Sequence, residues 1–144
     1  MNPFLTPQQQ ERLVLASRSP RRIEIMRGLG FEFDIDPAPE HLEEDDSHED
    51  PLQVAEMLAV RKCLHVAERR AADRVIAADT VVILDRHVLQ KPRDDDEARA
   101  FLARLSGRAH TVVTGVAIRD NGRTVSGSER TQVTFRALSP DDIA

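Results

Sequence analysis

Apolar residues follow two rhythms along this chain. Short unbroken runs suit buried strands, and stripes spaced three or four apart suit helices. After a polar lead-in at residues 1 to 11, Leu13, Val14, Leu15 and Ala16 form a run typical of a buried strand. Ser17-Arg18-Ser19-Pro20-Arg21-Arg22 ends it. Ser19 can act as an N-cap, and Pro20 has no amide hydrogen to lose, so a helix should begin at Pro20. Ile23, Met26 and Leu29 give that helix an apolar face, and Gly28 or Gly30 supplies a left-handed stop. Phe31, Phe33 and Ile35 then alternate with Glu32, Asp34 and Asp36, the period of a half-buried strand.

Residues 37 to 50 read as an acidic loop, and Asp50-Pro51 repeats the cap-then-proline signal. Val54, Met57, Leu58 and Leu64 stripe a helix expected to reach about Arg70. Val75 to Leu84 is the most apolar stretch and reads as a central strand, which Asp85-Arg86-His87 turns towards Val88 and Leu89. Lys91-Pro92 breaks the pattern. The Asp94 to Asp96 cluster then caps a helix with Ala98, Phe101, Leu102 and Leu105 on its core face and Gly107 just past its end. Thr111 to Ile118 is a further strand, Asp120-Asn121-Gly122 signals a hairpin, and Thr131, Val133 and Phe135 lie on the return. The whole reads as an α/β fold with a mixed, twisted sheet flanked by helices.

Length and composition narrow the function. With 144 residues the chain supports one core, so residues 12 to 144 are expected to form a single domain behind the lead-in at 1 to 11. A net charge of −5, with no Tyr or Trp, speaks against bulk nucleic-acid binding or attraction to an anionic membrane. Cys63 is the lone cysteine, which excludes an internal disulfide and a cysteine-based metal cluster. The first residues lack the basic and apolar regions of a signal peptide, and no stretch approaches membrane-spanning length. A cytoplasmic location is expected.

Two places attract chemistry. At Ser17 to Arg22 a strand feeds a turn and then a helix N-terminus, where free amides and the helix dipole favour an anion. Arg21 and Arg22 in the first turn oppose that dipole, a conflict that a phosphate would remove; the alternative is a solvated basic helix start. Asp79 interrupts the most apolar strand, and a buried carboxylate needs a cation, a metal or several hydrogen bonds. It either holds a divalent metal or activates water, or else it sits at an edge and accepts amides from a turn. Lys62 and Lys91, taken singly, are ordinary lysines. Glu40, Glu43 and Glu44 offer metal ligands within an acidic run that is more often merely solvated. The five histidines show no zinc-ligand spacing.

Taken together, LASRSPRR at 15 to 22, LAVRKC at 58 to 63, AADTVV at 77 to 82, QKPRD at 90 to 94 and LSGRAHTVVTGV at 105 to 116 resemble the Maf family in order and approximate spacing. The resemblance implies a Maf and inosine-triphosphatase-like architecture. It also implies a nucleoside triphosphate pyrophosphatase that needs a divalent cation, Mg2+ or Mn2+, and releases a monophosphate and pyrophosphate. By matching position, Asp79 is the family's catalytic acidic residue, which orients the attacking water or ligates the metal; Glu40 and Glu43 stay candidate ligands from the acidic run alone. Ser17, Arg21, Arg22, Lys62 and Lys91 line the phosphate site. Arg21 and Thr80 fall at positions that separate subgroups, and SPRR with ADT resembles the dTTP and UTP subgroup. A homodimer is compatible with the resemblance.

Two other readings compete with this one: a purine-directed, inosine-type triphosphate pyrophosphatase, and a non-catalytic nucleotide-binding regulator of cell division. After Ser139-Pro140-Asp141-Asp142 the chain stops where the family continues with a segment carrying a specificity glutamine, so low turnover, a frayed last helix and an exposed apolar face are expected. Asp79→Asn is expected to remove most hydrolysis while leaving the fold intact and stability unchanged or higher.

Overall fold

A computed structural model describes residues 12–39, 50–89 and 91–144. Within it, strands β1 (Leu13–Leu15), β2 (Asp34–Ile35), β3 (Arg74–Leu84), β4 (His87–Leu89), β5 (Ala109–Asp120) and β6 (Arg123–Thr134) form one sheet. Its order is β2-β1-β3-β5-β6, with β4 also on β3. β1 runs parallel to β2 and β3, whereas β3–β4, β3–β5 and β5–β6 are antiparallel. The expected mixed sheet is therefore present. The helices are α1 (Pro20–Gly28), α2 (Val54–Ala67, led by a 3-10 turn at Pro51–Gln53), α3 (Asp95–Leu105) and the single-turn α4 (Pro140–Ile143).

Local chemistry accounts for the helix starts. Ser19, Asp94 and Ser139 each accept from the amide three residues on, and Asp50 accepts from the Leu52 amide. Ser139 and Asp142 close a reciprocal capping box, so α4 is a capped turn despite its length. Gly30 and Gly107 take positive φ after α1 and α3. At the β5–β6 hairpin, Asn121 and Gly122 have φ of 50° and 77° between the paired Asp120 and Arg123, the left-handed pair that a two-residue turn requires.

Alternation along β3 divides the core. Val75, Ala77, Val81 and Ile83 face α2, which brings Val54, Ala55, Leu58, Ala59, Cys63 and Val66 onto them. The other face carries Val82 and Leu84, packed with Leu89, Leu105, Phe101 and Phe135 beneath α3. Buried His110 meets Phe135 edge-on at 4.8 Å between centroids. Further along that second face Val116, Ile118 and Val125 are exposed.

Four expectations change. The strand at 31 to 35 shrinks to Asp34–Ile35, because β1 offers only Val14 and Leu15 to pair with it, and Ile35 is exposed. Leu29 lies at the C-cap of α1 and is exposed, so it is no part of a core face. α2 ends at Ala67. Leu64 points outwards, since α2 lies flat on the sheet through its alanines, Lys62, Cys63 and Val66.

Candidate active site

β3 is longer than its neighbours on one edge. β1 pairs with Arg74–Ile76 and β4 with Val82–Leu84, while β5 occupies the opposite edge throughout. Residues 77 to 81 therefore face a notch with no strand among the described residues to fill it. The Ile76 carbonyl accepts from the Ala16 amide. Carbonyls two residues apart point the same way, so the Ala78 carbonyl opens into the notch and needs donors from elsewhere.

Two cations supply them. Arg22, in the first turn of α1, donates Nη1 to the Ala78 carbonyl at 3.1 Å and Nη2 to Thr80 Oγ1 at 3.1 Å. Lys62, on α2, lies 3.5 Å from the same carbonyl and donates to Asp79 Oδ1 at 2.9 Å. Lys62 and Asp79 are only 4% and 7% exposed, so each is the charge partner that makes the other's burial tolerable. Ser17 is buried where β1 ends, and its Oγ accepts from the Ser19 amide, which leaves its proton to donate. Asp79 and Thr80 project to opposite faces, so the notch presents a charged pair on one side and a hydroxyl on the other.

The structure thus brings Arg22, Lys62, Asp79 and Thr80 together around one peptide, while Ser17 is buried just past the end of β1 with its hydrogen bond to the turn before α1. Arg21 stands exposed on α1, outside this hydrogen-bonded set. Lys91 is exposed beyond β4, whose antiparallel pairing of Leu89 with Val82 directs the chain back towards the notch. Glu40, Glu43 and Glu44 lie outside the described residues.

Two neighbours carry no role in the sequence reading, although both lie in the segment 105 to 116. Gly115 is paired with Asp79 across β3 and β5, and a Cβ there would collide with the Ala55 carbonyl and Glu56 amide of α2. Its bare backbone lets α2 sit close enough for Lys62 to reach Asp79. A glycine inside an apolar strand is the sequence signal for such close approach. Thr114 pairs with Thr80, and their hydroxyl oxygens are 2.9 Å apart. Nothing in the residue type alone marks it.

Near the site, burial raises the Cys63 thiol to about 11, and its Sγ contacts the Val75 carbonyl at 3.3 Å. Beyond the far end of α2, Arg69 and then Arg70 hold the Asp36 carboxyl below its ordinary value, against a desolvation effect of opposite sign. No helix among the described residues is long and apolar enough to cross a membrane.

Comparison with known proteins identifies the family. Among solved structures, a HAM1 protein from Coxiella burnetii superposes with a TM-score of 0.54 over 83% of this chain and 70% of that one. At 17% identity this likeness concerns the fold alone. A dTTP/UTP pyrophosphatase of Pyrococcus abyssi is 46% identical over 90% of this chain and 67% of its own length. A protein of the same name from Photorhabdus laumondii is 44% identical over 91% and 67%, and one from Vibrio cholerae is 41% identical over 92% and 71%. The subgroup expected from SPRR with ADT is the one these relatives carry by name. The chain spans about two thirds of the length of such relatives. Since the family model described as Maf-like protein matches residues 12–144, and these relatives agree with it over nine tenths of the chain, this protein belongs to the Maf-like family.

Proposed function

We propose that this chain is a nucleoside triphosphate pyrophosphatase acting on dTTP and UTP, with the β3 notch as its active site. The observation that carries this reading is the buried Lys62–Asp79 pair beside a peptide already gripped by Arg22. A carboxylate on a buried strand, held by a lysine at the mouth of a cation-lined gap, suits hydrolysis of a polyanion better than structural support. A structural pair could be replaced by apolar residues without loss.

The reaction joins a water oxygen to phosphorus as the bond to the α–β bridging oxygen breaks, and that oxygen leaves with pyrophosphate. Arg22, with Arg21 and Lys91 at the rim, neutralises the triphosphate, and Ser17 donates its hydroxyl proton to a phosphoryl oxygen. Lys62 fixes the direction of the Asp79 carboxylate, which either takes the proton of the attacking water or holds a cation. Among the described residues no group of three His, Cys, Asp or Glu side chains converges. Asp79, with Glu40 and Glu43 as further candidates, would hold an Mg2+ or Mn2+ ion where one is bound. Such an ion would polarise the phosphoryl group and acidify water.

Pyrophosphate release from dTTP, UTP, 7-methyl-GTP and dITP, with Mg2+ or Mn2+, tests the proposal. Turnover of dTTP and UTP is expected. Preference for dITP would favour an inosine-type enzyme, and binding without turnover would favour a regulator.

A further inference from the structure

On the face of β3 away from Asp79, three side chains form a hydrogen-bonded series. Arg22 Nη2 donates to Thr80 Oγ1 at 3.1 Å, and Thr80 Oγ1 lies 2.9 Å from Thr114 Oγ1. Register creates the second link, because Thr80 and Thr114 are direct partners across β3 and β5 and so share a face. Through Arg22 the series ends on the Ala78 carbonyl in the notch.

Proton counting constrains what this series can bind. The two hydroxyls carry two protons, and their mutual contact uses one whichever oxygen donates. Arg22 already occupies an acceptor position on Thr80. One hydroxyl proton remains in either polarity. Where Thr114 donates to Thr80, that proton sits on Thr80 beside a guanidinium, whose charge disfavours an approaching N–H and favours an oxygen; where Thr80 donates, it sits on Thr114, one hydroxyl further from Arg22. Thr80 is exposed and Thr114 half-buried, so a ligand in the notch can reach the pair.

Resting on the pyrophosphatase reading above, we propose that Thr114 is a positioning residue: through Thr80 it holds Arg22 at the notch, and the threonine pair donates one hydroxyl proton to an oxygen of the nucleotide. That oxygen belongs to the base 4-carbonyl or to a group that all pyrimidine nucleotides share, such as a phosphate.

The test compares Thr114→Val with Thr114→Ser in steady-state hydrolysis of dTTP and dCTP. The same variants are titrated with α,β-methylene-dTTP, which cannot be cleaved at the scissile bond. Thr114→Val should raise KM for dTTP and weaken the analogue about three- to ten-fold, with kcat changed less than about two-fold. Thr114→Ser should recover most of the loss, and Thr114→Val should add nothing in a Thr80→Val background. A larger loss on dTTP than on dCTP assigns the oxygen to the 4-carbonyl, and an equal loss assigns it to a shared group. Wild-type kinetics in Thr114→Val would overturn the assignment, as would a lowered melting temperature with no rescue by serine. A parent chain that binds the analogue but cleaves nothing would sink the pyrophosphatase reading, and the analogue affinities would still decide the role of Thr114. A parent that does not bind the analogue would overturn both.

Discussion

Lys62 and Asp79 bury two opposite charges in contact, so their removal singly and together should differ in kind. Asp79→Asn or Lys62→Met leaves one charge uncompensated and should cost about 3–5 kcal/mol of stability, while Lys62→Met with Asp79→Leu should recover much of it. All three variants should lose pyrophosphate release. Denaturant titrations beside activity assays would check this, and an Asp79→Asn variant as stable as its parent would show that Lys62 finds another partner. This replaces the expectation that Asp79→Asn leaves stability untouched, which held only for a carboxylate without a buried cation. Arg21→Ala and Lys91→Ala should each weaken nucleotide binding or turnover by about 1–3 kcal/mol with little change in melting temperature, since both side chains are exposed. Unchanged kinetics in both would confine the site to the notch itself. Cys63 should be inert: with its thiol raised by burial to about 11, an aromatic disulfide reagent at pH 8 should modify it only as fast as the chain opens. Its contribution to stability is complete below its ordinary value of 9.0 and is lost as pH rises through about 11.

Between elements, contact depends on backbone shape. Gly115→Ala would force α2 away from β5 and should cost about 1–3 kcal/mol through overpacking, together with activity, because Lys62 moves with α2. A melting curve and a kinetic assay on this variant suffice, and an unperturbed enzyme would show that α2 can slide without disturbing the pair. The two hairpin turns make a useful contrast. Asn121-Gly122 suits its left-handed geometry, whereas Asp85 and Arg86 hold φ of 51° and 65° without a glycine. Arg86→Gly should therefore stabilise the β3–β4 turn by up to about 1 kcal/mol, read as a rise in melting temperature. At the end of α2, Asp36 ties β2 to Arg69 and Arg70. Its lowered pKa means that its contribution is present above the unfolded value near 4 and disappears as pH falls through the folded one. Asp36→Asn should accordingly flatten the acid limb of the stability profile.

For the molecule as a whole, the sheet is covered unequally. α2 closes one face over β3 and β5, but Val116, Ile118 and Val125 remain 39%, 37% and 62% exposed on the other, beside the long edge strand β6. Val125 lies on β6, the last strand of the sheet among the described residues, with Val116 and Ile118 on the neighbouring β5, and an exposed apolar face next to such an edge favours association. Light scattering should show concentration-dependent growth that Val125→Lys reduces. Equal behaviour of parent and variant would show that the edge is innocuous.

Much of this protein is legible in its sequence because much of it is local. Ser19-Pro20 and Asp50-Pro51 announce helix starts, Asn121-Gly122 announces a hairpin, and the apolar run at 75 to 84 announces a central strand, since each depends on neighbours within a turn or two. The family motifs point to Ser17, Lys62, Asp79 and Thr80 as one site before any geometry is seen. What they do not contain is the non-local arithmetic. β2 is two residues long because β1 is short, and Leu64 faces water because alanines set how α2 lies. The notch exists only because β1 and β4 stop short of each other along β3. Gly115 and Thr114 acquire their roles from the register that sets them opposite Asp79 and Thr80, and register is a property of strands that meet across more than thirty residues of intervening chain.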